Sequence, residues 1–451
     1  MRNSYRLLGA LGALLLLLPT TLSAQSNSLS AFSPYTFYGL GDMSVQGSAF
    51  FRSMGGAGVA YSNYLHMNSL NPASYASVMP RSVLFNVGGE MYNTYANTAD
   101  AKTSYNTFNI RDINMLIPLT RGLGFGFTMT PLSDVGYRVK MTEMDPLILA
   151  NVGNVVYEYL GEGNTTQFKF GLGWNPFRNF AFGVDVIYYH GIITRNFNTI
   201  ITPVISETTE RTLYGKQRET YSQAGVILGA QYNLIANELR QFTIGMTYRP
   251  RVNLRPRSTR SIVAEANFVD TIDVHNSRFD YYLPSSFSVG LAYTTRKFGA
   301  LLDYTFEKWQ GLNTPDPLNG ITYSNNHYIK AGVQFVPNPQ DVRRYFNRMS
   351  YRLGFRYNNY YMNINGHNID DKAITLGFGF PIRQGLSNIN IGFDLGQRGL
   401  TASGVYNVPA TATGGMASSR AYQMVRERYF RVSIELSFFG EDYWFLKPKY
   451  E

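Results

Sequence analysis

The sequence predicts an all-β transmembrane protein: an antiparallel β-barrel of fourteen strands with an N-terminal hatch, or plug, inside its lumen. Two observations carry most of that reading. Apolar and polar residues alternate with period two in segment after segment, and the polar positions hold Arg, Asp and Glu. The connections between segments alternate short and long, the outer-membrane pattern of tight turns at one end and loops at the other. Composition agrees, with aromatic residues at 15% and charged residues at only 16%. Beyond the first residues there is no run of eighteen uninterrupted apolar residues, which excludes spanning helices.

Residues 1–24 read as a signal peptide. Arg2 and Arg6 flank the start of an apolar core from Leu7 to Leu18, and Pro19 and "TLSA" give a cleavage position after Ala24. That core is too short to span a bilayer comfortably as a helix, which sets a cleaved leader ahead of its alternative, a retained anchor. The chain has no cysteine, so disulfides and a lipid-modified N-terminal cysteine are both excluded. The formal charge of +10 falls by two, to +8, once Arg2 and Arg6 leave with the leader. In an exported protein this favours acidic lipid headgroups or anionic solutes over nucleic acid, and no basic tract sits in a nucleic-acid-binding module.

Residues 25–81 precede the first strand. Within them "RSMGGAGVAYSNYLHMNSLNPASYA", Arg52 to Ala76, is glycine-dense and nearly uncharged, and follows neither the helical nor the strand period. A fourteen-strand barrel is wider than the eight-strand barrels that side chains fill, so an empty lumen would leak. Glycine and alanine let backbone pack against a crowded wall, and Asn71-Pro72 fixes a turn before the first strand. The segment reads as a plug.

Residues 82–439 hold the barrel. In "FRVSIELSF" Phe430, Val432, Ile434, Leu436 and Phe438 oppose Arg431, Ser433, Glu435 and Ser437; "NINIGFDLG", "QFTIGMTYR" and "YRLGFRYN" repeat the pattern. The segments lie near residues 82–92, 106–118, 122–142, 165–174, 180–195, 219–232, 241–254, 284–295, 298–309, 325–336, 349–361, 372–381, 387–397 and 429–439. Short turns such as "TRG", "NPFRN" and "TR" follow even-numbered strands, and the excursions 143–164, 196–218, 255–283, 310–324 and 398–428 follow odd-numbered ones. Inward carboxylates such as Asp185, Asp303, Glu307, Asp394 and Glu435 are expected in a solvated, salt-bridged lumen. The last strand ends in Phe438-Phe439, similar to the terminal assembly signal of bacterial barrels, and residues 440–451 follow it as a periplasmic tail.

The segment "MGGAGVAYSNYLHMNSLNPASYA", and Asn71, Pro72 and Ala73 in particular, resembles the hatch of the FadL/TodX-like outer-membrane transporters of long-chain fatty acids and other hydrophobic compounds. "ITLGFGFPIR", "INIGFDLGQRG" and "YWFLKPKY" resemble the form found in the Bacteroides group. The resemblance implies a barrel in the cell outer membrane whose partners are a hydrophobic, fatty-acid-like ligand and membrane lipid; a monomer without cofactor is expected. It also implies uptake by diffusion past the hatch and sideways exit through a gap made by a kinked third strand. Here that strand contains "TPLSDVG". Pro131 cannot donate to the ladder and Gly136 adds freedom, which makes Pro131, Ser133, Asp134 and Gly136 the candidates for the gap, against an ordinary bulge. The family's acidic hatch residues are replaced here by "SNYLHM".

Arg249, Arg251 and Arg255 fall on the inward alternation of "FTIGMTYRPRVNLRPR", near the loop 255–283, and are the candidates for holding a ligand carboxylate. The competing reading has them meet anionic glycolipid at the rim, or balance Asp303 and Glu307. The five histidines lie far apart without metal-ligand spacing, and no G-x-S-x-G elbow occurs. An enzyme is not expected. The alternatives to transport are a barrel that shuttles or anchors cargo in type IX secretion and a structural outer-membrane protein.

Overall fold

The computed structural model describes residues 31–80, 82–99, 101–143, 146–177, 179–203, 211–237, 239–265, 269–313, 320–382, 387–408 and 418–441. The expected signal peptide, 1–24, and residues 442–451 of the expected tail lie outside the described residues.

Fourteen strands form the wall: β1 (Ser82–Asn97), β2 (Lys102–Thr120), β3 (Leu123–Thr142), β4 (Asn154–Phe177), β5 (Phe180–Thr202), β6 (Arg211–Ala236), β7 (Arg240–Arg249), β8 (Ser286–Thr295), β9 (Phe298–Glu307), β10 (Asn326–Phe335), β11 (Ser350–Asn358), β12 (Asp371–Ile382), β13 (Ser387–Arg398) and β14 (Arg426–Glu441). Each pairs antiparallel with the next, and β14 pairs with β1 from Ser82↔Glu441 to Asn97↔Arg426, closing the barrel. Closure leaves no strand edge to satisfy in lipid.

Burial along the strands is the reverse of a soluble protein's. In β14 Ile434 and Phe438 are exposed while Arg431, Ser433, Glu435 and Ser437 are buried; in β11 Leu353 and Phe355 are exposed while Arg352 and Arg356 are buried. The apolar face therefore looks outward, as lipid requires, and the chain is a transmembrane β-barrel.

Several strands outrun their sequence signal. β4 begins at Asn154 and β5 continues to Thr202, with the ladder unbroken from Asn154↔Thr202, so much of the expected excursions 143–164 and 196–218 is strand. Beyond the membrane, antiparallel pairing satisfies the backbone without needing an apolar outer face, so the alternation fades while the ladder persists. The expected strand 241–254 instead stops at Arg249, because Pro250 has no N–H to donate. The excursion 255–283 holds a hairpin, Arg257–Glu265 and Val269–Arg278, whose first arm pairs with β6 from Arg257↔Thr220 to Glu265↔Thr212.

Residues 31–78 lie inside the ring, since their partners come from strands all round it. The Phe50 amide donates to Glu435 of β14 (2.8 Å), the Gly58 and Val59 amides donate to Asp303 of β9 (2.6 and 2.9 Å), and Asn71 donates to the Ala230 carbonyl of β6 (3.2 Å). Four of the five expected inward carboxylates thus do not face a solvated lumen, and Glu307 lines a small cavity. Asp185, Asp303, Asp394 and Glu435 are buried to within 1% of complete exclusion, because this segment displaces the water.

The wall admits the segment where its inward residues are glycine. A Cβ on Gly183 or Gly229 would overlap Pro72, and one on Gly354 would overlap Met54 and Gly55. Gly354→Leu should therefore leave a closed barrel, seen as faster migration of unboiled than boiled protein in detergent, yet let trypsin cut at Arg52, which the native lumen shields.

Candidate functional site: a parted wall sealed by the N-terminal segment

The wall is not continuous between β2 and β3. From the turn Arg121–Gly122 the two pair as far as Ile113↔Met129. Beyond that point β2 pairs with β1 from Asp112 to Lys102, and β3 pairs with β4 from Thr130 to Thr142, but the two no longer pair with each other. The parting begins beside Pro131, where β3 carries a bulge against β4: Pro131 opposes Thr166, Ser133 opposes Thr165, and Leu132 is the additional residue.

Residues 31–46 occupy this cleft. Asp42 and Met43 form a two-residue strand on β3, opposite Asp134 and Ser133. The Ser33 amide donates to the Gly136 carbonyl (2.8 Å), the Ser44 amide to Leu132 (2.9 Å) and the Gln46 side chain to Pro131 (3.1 Å). On the other side Phe32 stacks on Tyr105 of β2, ring centres 4.6 Å apart. Gly136 makes room, since a Cβ there would collide with the Ala31 backbone. Pro131, Ser133, Asp134 and Gly136 all line this seal.

Ion pairs hold it from within. Arg111 of β2 reaches across to Asp134 of β3 (2.8 Å) and to Glu90 of β1 (3.1 Å), while Arg52 of the inner segment meets Asp112 (3.2 Å) and Glu90 (3.6 Å). Arg398 of β13 holds Asp42 (2.5 Å) and Glu427 (2.7 Å), and Ser33 donates to the same Glu427 (2.5 Å). Sequence reasoning placed no role on Arg52, Arg111 or Arg398. Arg111 and Arg398 did carry a signal, each set at the polar phase of its strand, and Arg52, on the inner segment, carried none.

Asn71, Pro72 and Ala73 form the start of a short 3₁₀ helix, Pro72–Ser77. The Asn71 side chain accepts from the Ala73 amide (3.0 Å) and donates to Val59 (2.8 Å) and to the wall at Ala230 and Met246 (3.2 and 3.4 Å), so one amide caps the helix and ties the segment to β6 and β7.

The three arginines proposed for a ligand do not converge. Arg249, the last residue of β7, faces the lumen and pairs with Glu307 (3.3 Å). It lines a cavity of about 140 Å³ with Lys169, Lys330 and Arg356. After Pro250 the chain leaves the strand, and the inward alternation ends. Arg251 lies exposed over the Tyr282 ring (4.8 Å), and Arg255, at φ +40°, is exposed beside Asp280 (3.3 Å). The long-loop end above this cavity is closed by an apolar cluster that includes Tyr35, Leu40, Leu283, Trp309, Tyr361 and Met424.

Two expected outcomes follow from these contacts. Removing one partner of a buried ion pair strands the other charge and costs about 3–5 kcal/mol. Arg398→Leu, which leaves Asp42 and Glu427 unpaired, should lower stability by that order in a denaturant titration in detergent. His66, stacked on Phe50 (4.1 Å), has its pKa lowered to about 3 by burial, with the Arg352 guanidinium adding to the effect. Unfolded, the imidazole takes its proton near pH 6.5. The folded state therefore binds fewer protons below that pH, and its contribution is intact above about 6.5 and lost as pH falls toward 3. Hydrogen-exchange protection of residues 59–78 should decline on acidification through this range, and less steeply in His66→Phe.

A family model described as BamG matches residues 10–451. No curated protein matches the chain. Among solved structures it resembles a Pseudomonas aeruginosa FadL homologue, with a TM-score of 0.60 at 11% identity, over 89% of this chain and 100% of that one. It also resembles the toluene transporters TbuX of Ralstonia pickettii (TM-score 0.52, 13% identity, 86% of this chain and 97% of that one) and TodX of P. putida (0.52, 14%, 87% and 98%). At these identities the likeness speaks for the fold. The match to nearly the whole chain places this protein in the BamG family, and its fold is that of the FadL and TodX barrels.

Proposed function

We propose that this protein sits in the outer membrane as a monomer and passes hydrophobic molecules, long-chain fatty acids among them, from the long-loop end into the lumen and out sideways between β2 and β3. The observation that carries this reading is the parted wall. Along the cleft a closed ladder is replaced by a short seal, Asp42–Met43 and the amides of Ser33 and Ser44, which can be withdrawn without breaking the barrel. Residues 25–81 are the hatch, turned by Asn71-Pro72-Ala73, and Pro131, Ser133, Asp134 and Gly136 are the edge of the exit. Arg249 is the arginine placed to meet a carboxylate, which would have to compete with Glu307; Arg251 and Arg255 would serve only on the way in.

A second reading, a structural outer-membrane barrel that conducts nothing, is favoured by the filling of the lumen. The cavity of about 140 Å³ is smaller than the ~300–1,000 Å³ of ordinary ligand pockets, and apolar side chains cap it. The native absence of cysteine allows a clean test. Met43→Cys with Ser133→Cys, directly opposite in the seal, should form a disulfide on oxidation. Uptake of a fluorescent fatty acid into proteoliposomes should stop on oxidation and return on reduction. Uptake indifferent to the lock would remove the lateral route, and no uptake by the native protein in either state would favour the structural reading.

A further inference from the structure

We infer that the connection between β10 and β11, residues 336–349, is an interfacial anchor that inserts Val342 and Phe346 into the phospholipid headgroup region at the short-turn end of the barrel. Among the described residues, turns at this end such as Arg121–Gly122 and Arg296–Lys297 are tight, whereas this connection is long enough to carry its own short helix, Tyr345–Arg348. Val342 is 92% exposed and Phe346 72% exposed, far more than a solvated loop gains from apolar side chains.

Two hydrogen bonds fix where the connection lies. Tyr351 belongs to the outward phase of β11, with Leu353 and Phe355, and its ring packs edge-on to Phe378 of β12, centres 6.0 Å apart. The Tyr351 hydroxyl donates to the Phe346 carbonyl (3.1 Å), and the Tyr345 hydroxyl donates to Pro381 at the end of β12 (3.2 Å). The helix is therefore held against the lipid-facing rim, continuous with the aromatic side chains there, and not beneath the lumen. Aromatic girdles mark the membrane interface in such barrels.

The charges suit an anionic leaflet. Arg343 and Arg344 lie between the apolar pair and are exposed, Arg296 and Lys297 stand exposed on the adjacent β8–β9 turn, and Arg240 and Arg121 are exposed on turns farther round the rim. The one carboxylate in the connection, Asp341, is turned back on it, accepting from the Arg343 and Arg344 amides (2.8 and 2.9 Å) and from Asn347 (2.5 Å). It holds the loop's shape and is not offered to the surroundings. Exposed apolar side chains bordered by arginine are the composition that binds an anionic lipid surface.

The test uses the full mature chain, in which an introduced cysteine is the single thiol. An environment-sensitive fluorophore is attached at Val342→Cys, at Phe346→Cys and at the control Gln340→Cys, in vesicles of phosphatidylethanolamine and phosphatidylglycerol. Labels at 342 and 346 should be quenched by doxyl-labelled lipid and be several-fold less accessible to iodide than the label at 340. Arg343→Glu with Arg344→Glu should weaken the lipid quenching in these vesicles but not in uncharged ones. Faster migration of unboiled protein shows in each case that the barrel has formed. Iodide access at 342 and 346 equal to that at 340 would overturn the proposal, as would protection that arises only when a second protein is added, which would make the connection a protein-docking site.

Discussion

The structure turns on one constraint: an inner face that is polar by necessity is also dry. A membrane barrel spends its apolar residues on the outside, so its strands bring arginines and carboxylates inward, and here the N-terminal segment occupies the space that water would fill. A charge in such a place is tolerated only with a hydrogen-bonded partner. The wall supplies some partners itself, as Arg356 does for Asp394 (2.8 Å). Others come from the inner segment, through amides on Glu435 and Asp303 and through Arg52 on Glu90 and Asp112. Several of the wall's buried charges are therefore met by the inner segment, so that wall and segment share one set of electrostatic contacts.

The same constraint explains the composition of the opening segment. To present amides to fixed carboxylates, its backbone must approach the wall more closely than side chains normally permit, so glycine is needed on one side or the other. Gly55 adopts φ +71° and abuts the backbone of β10 and β11, while Gly183, Gly229 and Gly354 clear space from the wall's side. Near absence of charge in Arg52–Ala76 has the same origin, since most of what this segment offers is main chain.

The barrel was legible because lipid imposes a period of two on every strand, and that signal survives in a single sequence. Strand ends were less legible where the ladder runs past the membrane, as in β4 and β5, because pairing there no longer depends on an apolar face. Alternation also fails to tell which strand pairs with which. The parting of β2 from β3 therefore lay hidden, and Pro131 and Gly136 marked its neighbourhood without revealing that residues 31–46 fill it. The inward phase projected through Arg251 and Arg255 broke at Pro250, a residue whose effect on a ladder is local and visible. The dryness of the lumen was not visible at all, since it depends on the plug's contacts and not on any strand's own pattern.

The seal differs from the rest of the wall in what a movement would cost. Opening a barrel ladder anywhere else exposes amides and carbonyls to lipid, several kcal/mol for each group left unpaired. At the cleft the outer part of β2 and of β3 each keeps a full ladder on its far side, so withdrawal of residues 31–46 exposes only one edge of each strand. Withdrawal would also take Tyr35 and Leu40 out of the apolar cluster at the long-loop end, and the Asp42 carboxylate would leave Arg398, although Arg398 retains Glu427. Arg111 likewise retains Glu90 and Asp134 when Ser44 departs. Each of these two arginines thus has a wall carboxylate besides its partner in the segment. Deeper in the lumen the inner segment donates amides to wall carboxylates: Asp303 accepts from Gly58 and Val59, and Glu435 accepts from Phe50 as well as from Asn86 of the wall (3.2 Å). The contacts divide the N-terminal segment into a part up to Gln46 that lies along the cleft, and a part from Ser48 onward whose backbone amides and Arg52 meet the wall's buried carboxylates.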